Sequence, residues 1–311
     1  MTSSKHDFWV NFGAGGAAGL IGATITCPLE VVKTRLQSSF YRSQEVALQS
    51  RNPVRIAAHH MVGVVGILKN IYQTEGITAL WKGLGPNLVG VVPARAVYFS
   101  VYNKGKAIYS KWNGEENSKV HMISAFTAGL ATASFSNPIW LIKTRMQLQS
   151  EQVIKTGIVQ YKNSFDCAVK VFKQEGIVGF YRGFSASMLG LGESTFQFVM
   201  YEYFKKNILV VKQKKDPDAT LSVVETTVAS ATSKFIAAVT TYPHEVIRTR
   251  LRQTPQNGVR KYTGLVQCAK LIYREEGMIA LYGGMAAHLM RVVPNAAILF
   301  VSYELIMSFI K

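Results

Sequence analysis

Six long runs of apolar and small residues, at about 8–37, 83–109, 119–149, 183–208, 221–252 and 284–310, alternate with short polar segments. Each run holds roughly 25 to 30 residues, more than the ~20 that an α-helix needs to cross a bilayer, so as helices they should tilt or bend. Within each pair of runs lies a shorter amphipathic stretch, at about 61–74, 163–174 and 264–275, which predicts three short helices. Charges interrupt the long runs and weaken their hydropathy. A membrane admits such charges only where they face a water-filled interior or pair with one another. A polar insert at 38–60, with Arg42, Arg51, Pro53 and Arg55, reads as a loop. Gly13, Gly15, Gly16 and Gly19, with Ala14, Ala17 and Ala18, make a small-residue face of the kind that lets helices approach closely in lipid. No Gly-Lys-Ser/Thr follows them, which argues against a phosphate loop.

Superimposed on this pattern is an octapeptide written three times. Pro28-Leu29-Glu30-Val31-Val32-Lys33-Thr34-Arg35 returns as Pro138-Ile139-Trp140-Leu141-Ile142-Lys143-Thr144-Arg145 and as Pro243-His244-Glu245-Val246-Ile247-Arg248-Thr249-Arg250. The prolines lie 110 and 105 residues apart. A second motif keeps the same beat: Glu75-Gly76 up to Trp81-Lys82-Gly83, Glu175-Gly176 up to Tyr181-Arg182-Gly183, and Glu276-Gly277 up to Tyr282-Gly283-Gly284. A fixed period of this length marks a tandem triplication, with units at 1–112, 113–215 and 216–311. Proline lacks an amide proton and clashes with the preceding turn, so each odd-numbered long helix is expected to kink at Pro28, Pro138 or Pro243.

The two motifs together resemble the mitochondrial carrier family, and the resemblance covers nearly the whole chain. It implies an all-α membrane protein of six transmembrane helices in three tandem repeats with threefold pseudosymmetry. Short matrix helices would join each pair. It also implies a multi-pass protein of the mitochondrial inner membrane, a monomer, and a transporter by alternating access rather than an enzyme. No catalytic residue, cofactor or metal site is expected.

Composition agrees with that class. The 311 residues are 48% hydrophobic yet carry a net charge of +17, which favours anionic partners: nucleic acid, anionic lipid or a phosphorylated ligand. The basic residues crowd the segments between apolar runs, which suits lipid headgroups better than a nucleic-acid groove; a soluble nucleic-acid-binding protein is the reading from another class. Cys27, Cys167 and Cys268 show neither metal spacing nor an even-numbered disulfide framework and read as small buried residues. With Asp7 present and no cleavage pattern, no signal peptide is expected at the N-terminus, so an organellar address would be internal.

Glu30 and Lys33, like Glu245 and Arg248, are three apart and share a helix face, so ion pairs within one helix are one possibility. The family resemblance implies another, a matrix gate in which an acid of one repeat bonds the base of the next. By that pattern Glu30 pairs with Lys143 and Glu245 with Lys33. Arg248 has no partner, because Trp140 occupies the acid's place. Gln37 and Gln147, nine residues after their prolines, resemble the family's bracing glutamines; Arg252 is their counterpart. At the opposite end, Tyr201-Glu202-Tyr203-Phe204-Lys205 matches the family's second charged motif, while Asn103 and Met307 interrupt the other two copies. The links Lys106–Glu202 and Lys205–Glu304 would form a cytoplasmic gate. Each such pair contributes about 1 kcal/mol net, since desolvation offsets much of the Coulomb gain. Two gates that cannot close together make the bistable element that alternating access needs.

One asymmetric ligand demands asymmetric contacts, so the binding site is sought where the repeats disagree. Gly90, Leu189 and Arg291 correspond; one turn on come Ala94, Glu193 and Asn295; and Gly19, Gly129 and Lys234 correspond on the odd helices. A lone mid-membrane lysine costs at least about 2.5 kcal/mol, so Lys234 should have an anionic partner. Arg291, Lys234 and Arg95 are candidates to hold phosphate. Glu193 and Gln197 are candidates to read a base edge, although Glu193 can instead simply neutralise Lys234 or Arg95. Leu189 and Gly190 offer a flat surface for a ring, with Asn295 nearby. Pro138-Ile139-Trp140 resembles the family branch that carries pyrimidine nucleotides, NAD, flavin and folate. Pro93-Ala94-Arg95-Ala96-Val97-Tyr98-Phe99 and Ser233-Lys234 are most similar to the pyrimidine nucleotide carriers, which makes pyrimidine nucleotides the expected cargo and NAD, FAD or folate the alternative. The resemblance also implies cardiolipin at Gly83, Arg182 and Gly183, where helix N-termini favour phosphate.

Overall fold

The computed structural model describes residues 2–40, 53–150, 160–213, 221–256 and 258–310. These form ten α-helices and no strand: α1 (Thr2–Gln37), α2 (Pro53–Glu75), α3 (Leu84–Asn113), α4 (Ser118–Leu148), α5 (Ser164–Phe180), α6 (Phe184–Gln213), α7 (Val223–Thr241), α8 (Pro243–Arg252), α9 (Leu265–Glu276) and α10 (Met285–Ile310). Short 3₁₀ turns, Ile77–Trp81 and Met278–Tyr282, precede α3 and α10. Part of the polar insert, 41–52, lies outside the described residues. Residues 38–40 are irregular, as expected, but from Pro53 onward the insert is helical rather than a loop, because α2 begins at a residue preset for the first helical turn.

Local chemistry accounts for the boundaries. Asn117 caps α4 by accepting from Lys119 N and Val120 N, each at 3.1 Å, and Asn163 caps α5 by accepting from Asp166 N at 2.8 Å. Ser222 and Glu225 form a reciprocal capping box at the start of α7. The three prolines behave differently from one another. Helix runs unbroken through Pro28 in α1 and Pro138 in α4, whereas the third copy is divided at Tyr242 into α7 and α8. There Glu245 N turns back to Tyr242 O at 2.9 Å, and His244 Nδ1 takes the Thr241 carbonyl that the regular ladder leaves free. In α5 the backbone leaves helical geometry at Gly176 (φ 67°), close to the expected end of the short helix.

Long helices pack in chain order, α3 along α4 and α6 along α7, and α10 returns to α1, which closes the bundle. Beneath it, each octapeptide is joined to a short helix by its apolar pair. Val31 and Val32 pack with Ile71, Leu141 with Cys167 and Val171, and Val246 and Ile247 with Cys268 and Ile272. The three cysteines are buried and unpaired, and burial pushes the Cys167 and Cys268 thiols up to about 12. The polarity of the bundle is inverted relative to a water-soluble protein. Lys33, Lys143, Arg145 and Arg250 are buried, while Phe99, Phe126, Phe135, Phe198, Phe235 and Leu305 point outward. An apolar exterior of that extent is foreign to soluble monomers. By length and composition, Gly13–Gln37 and Met278–Phe309 suffice to cross a membrane.

The glycines that end the second motif hold the architecture together by close approach. Gly83, Gly183 and Gly284 all have positive φ, at 81°, 72° and 75°. A Cβ on them would stand 3.0 Å from Lys143 O, 3.0 Å from Arg248 O and 2.7 Å from Lys33 O respectively. Each start of an even-numbered long helix thus sits against the octapeptide of another repeat, with no room for a side chain. Gly284→Ala should therefore cost about 2 kcal/mol from the left-handed backbone alone, and more from the clash. Gly85→Ala, with nothing within 4 Å of the new Cβ, should be neutral. Thermal unfolding of the two purified variants checks both.

Candidate functional site

Between the helices lies a cavity of ≈ 490 Å³, lined by parts of all three octapeptides and by α3, α4 and α6. Its floor is built in two tiers, the lower one cyclic and the upper one a ring of ion pairs with one link open.

The lower tier uses the last residue of each octapeptide. Arg35 makes a fork with Glu75, at 2.5 and 2.9 Å; Arg250 does the same with Glu276, at 2.7 and 2.8 Å; Arg145 holds Glu175. The Nε of each guanidinium donates to a main-chain carbonyl of the next octapeptide's continuation. Arg35 reaches Gln147 O at 3.1 Å, Arg145 reaches Arg252 O at 3.1 Å and Arg250 reaches Gln37 O at 2.7 Å. The three arginines are 1%, 2% and 1% exposed. A buried charge is costly unless paired, and removing one partner of such a pair typically costs about 3–5 kcal/mol. For Glu75 and Glu175, desolvation by burial pushes the carboxyl pKa up, but the hydrogen bonds and positive charges of Arg35 and Lys82, and of Arg145, Arg182 and Arg260, together outweigh it and hold both below the ordinary value.

The upper tier is the set of charges read from the sequence. Lys143 Nζ reaches Glu30 at 2.6 Å and Asn87 Oδ1 at 2.9 Å, and Lys33 is paired with Glu245. Thr34 donates to Gln147 Oε1 at 2.8 Å and Thr249 to Gln37 Oε1 at 2.7 Å, while Gln37 Nε2 donates to Tyr242 OH at 3.0 Å. Arg248, expected without a partner, lies 3.5 Å from Glu245, three residues earlier on its own helix. Trp140 offers it no carboxylate: its indole N–H goes to Ser136 Oγ at 2.9 Å, and Lys143 lies over its ring at 5.1 Å from the centroid. Arg252 donates to Asn137 Oδ1 at 2.8 Å and Ser187 Oγ at 3.2 Å.

Of the eight proposed ligand-binding residues, Glu193 and Gly190 line the cavity, and Lys234, Arg291 and Asn295 are among those that do not. Lys234 is bound to Glu193 at 2.7 Å, so that carboxylate does neutralise it, and Glu193 lines the cavity. Arg291 reaches down to Glu30 at 3.5 Å and joins the upper tier instead of standing free. Arg95, Gln197 and Leu189 lie outside the lining, Arg95 being exposed and Leu189 half-exposed. The helical period explains Leu189: Gly190, Leu191 and Glu193 turn toward the cavity, and a residue beside that stripe turns away. Nor is Gly190 a free surface. A Cβ there would meet His244 Nε2 at 2.9 Å. Asn295 packs on α1, where Thr26 Oγ1 donates to its Oδ1 at 3.3 Å. Arg182, expected at a lipid site, is held by Glu175 at 2.6 Å.

At the far end the expected links do not form. Lys106 bonds Glu116 at 2.5 Å instead of Glu202, and Lys205 lies 3.8 Å from Glu202 on its own helix instead of reaching the exposed Glu304. The reason is geometric: α3, α6 and α10 pack chiefly on the odd-numbered long helices rather than on one another. Among the described residues, no group of three His, Cys, Asp or Glu side chains is placed to hold a metal.

The sequence carries a threefold match to the family described as "Mitochondrial carrier protein", over residues 4–112, 114–212 and 219–311. It is 48% identical to the mitochondrial carrier protein rim2 of Schizosaccharomyces pombe, over 96% of this chain and 89% of that one. It is 46% identical to the mitochondrial pyrimidine nucleotide transporter RIM2 of Saccharomyces cerevisiae, over 97% and 86%. Solute carrier family 25 member 36-A of Danio rerio is 42% identical, over 97% and 98%.

The lower tier predicts an acid-sensitive stability. A carboxylate whose folded pKa is depressed stabilises above its unfolded value, 4.5 here, and that contribution is lost as pH falls through the folded value. Glu75→Gln and Glu175→Gln should each lower stability by about 3 kcal/mol at neutral pH. Below about pH 4.5 their deficit relative to the parent protein should shrink, which melting curves at neutral and acid pH would register.

Proposed function

Because this chain belongs to the mitochondrial carrier family, we propose that it exchanges pyrimidine nucleotides between cytosol and matrix by alternating access. In this reading the long helices make six spans of the inner membrane in three pseudosymmetric repeats, with α7 and α8 forming one span. The outward-facing phenylalanines meet lipid and the buried charges face the interior, as an intramembrane charge must. The octapeptide end is the matrix side, and the arrangement described above is the state closed there.

The observation that carries the reading is the cavity's asymmetry of linkage. Ion pairs between repeats, Glu30–Lys143 and Lys33–Glu245, span its floor, while the corresponding links at the other end are unmade. The cation excess around it suits a polyanion, and a relative 46% identical is a pyrimidine nucleotide transporter. Cargo entering from the cytosol would exchange the Lys234–Glu193 pair for Lys234–phosphate, leaving Glu193 to accept from a base N–H. Differential binding then offsets opening of the matrix-side pairs, each about 1 kcal/mol net. Cardiolipin is proposed at the free amides beginning α3 and α6, at Gly83 and Gly183; Arg182 would contribute charge only through its contact with Glu175.

Reconstituted into liposomes, the protein should exchange UTP, CTP or dTTP for internal pyrimidine nucleotide, and Lys234→Ala should lower the rate at least about tenfold, as loss of a charge-assisted contact requires. Exchange of NAD, FAD or folate without pyrimidine nucleotides would overturn the assignment.

A further inference from the structure

The octapeptides are nearly equivalent, but their charges are not. In the first two, the basic residue five positions after the proline is held by an acid from another repeat, Lys33 by Glu245 and Lys143 by Glu30. Four residues further on stand the neutral Gln37 and Gln147. In the third, the corresponding residues are Arg248 and Arg252, both lining the cavity one helical turn apart on α8. Arg248 has only a 3.5 Å contact to Glu245, a carboxylate already engaged with Lys33. Arg252 is 5% exposed and bonds to the neutral groups of Asn137 and Ser187. Among the described residues it has no carboxylate within ion-pair distance, and its Nε has no hydrogen-bond partner. A guanidinium buried without a counter-charge is costly, and its planar fork matches phosphate oxygens.

The vacancy has a visible cause. An acid at position 140 would face Arg248 as Glu30 faces Lys143 and Glu245 faces Lys33. Trp140 stands there instead, its N–H turned to Ser136 and its ring over Lys143. We propose that a phosphate group of the cargo binds Arg248 and Arg252 and supplies the negative charge that the third octapeptide lacks. Cargo thereby engages the third copy directly while the other two remain paired to each other, and Trp140 is the residue that keeps the third place open for it. This rests on the reading above that the cargo is a nucleotide, but the site itself asks only for a phosphate oxyanion.

The test is a thermal-shift series on the purified full chain with inorganic tripolyphosphate, UTP and uridine, backed by exchange kinetics. Tripolyphosphate and UTP should raise the melting temperature of the parent protein, and uridine should not. Arg252→Gln, which writes in the glutamine of the other two repeats, should abolish the tripolyphosphate shift. It should also raise KM for nucleotide about tenfold or more, as expected for a lost charge-assisted contact. Trp140→Glu guards against a folding defect in that variant. It should melt higher than the parent without ligand, by closing the third link to Arg248, and should lose the ligand shift. Lys173→Gln, which removes an exposed cation elsewhere, should behave as the parent. Retention of the parental tripolyphosphate shift by both Arg252→Gln and Trp140→Glu would overturn the site, as would the absence of any shift in the parent. A parent that responds to tripolyphosphate but to no pyrimidine nucleotide would leave the site standing and overturn the cargo assignment instead.

Discussion

Three buried guanidinium groups set the geometry on which everything above them depends. Arg35, Arg145 and Arg250 each neutralise one carboxylate of a short helix and donate one N–H to the next repeat. The carboxylate fixes each long helix to its own short helix, and the Nε bond fixes it to its neighbour. Because the donors run in a cycle, no member can shift without leaving a buried charge short of a partner. Gly83, Gly183 and Gly284 make the same cycle in steric form, since the start of each even-numbered long helix leans on a foreign octapeptide carbonyl.

On this base, the upper tier is a weaker and more changeable layer. Its pairs join different repeats through single contacts, each flanked by the water-accessible cavity. These pairs are buried, and desolvation offsets much of their Coulomb gain, leaving about 1 kcal/mol net, whereas Arg35 and Arg250 beneath hold their carboxylates through two hydrogen bonds each. That contrast suits the proposed exchange, in which the base would stay assembled while the pairs above it make and break. Departure from symmetry then falls where the chemistry must be asymmetric. Lys234–Glu193 occurs in one copy only, and the third copy carries Arg248 and, just past its octapeptide, Arg252 where the others carry a lysine and a glutamine.

The sequence made the upper tier legible because its residues recur at a fixed offset from a proline. Glu30–Lys143 and Lys33–Glu245 follow from that offset once the helices are placed in a ring. The lower tier was equally written, in the last arginine of each octapeptide and the glutamate of each acidic-Gly motif. Its signal was that two triplicated charges of opposite sign keep the same beat, and only the fold brings residues 26 to 40 positions apart into contact. Where the repeats disagree, position along the chain does not tell which way a side chain faces. Leu189 and Gly190 differ by one position, yet 100° of helical rotation sends the first outward and the second onto His244. Arg291 stands out because the repeats disagree at its position, and its length lets it reach Glu30. Lys106 found Glu116 in the connection after α3, a partner that no comparison between repeats would suggest.

Glu30–Lys143 and Lys33–Glu245 join different repeats, and in each pair the two charges stabilise the fold jointly. A double-mutant cycle on Glu30→Gln and Lys143→Gln, read by the stability of the purified protein, measures this directly. The account predicts that the double variant is more stable than the sum of the single losses implies, with a coupling of about 1–2 kcal/mol. Strict additivity of the two substitutions would contradict it.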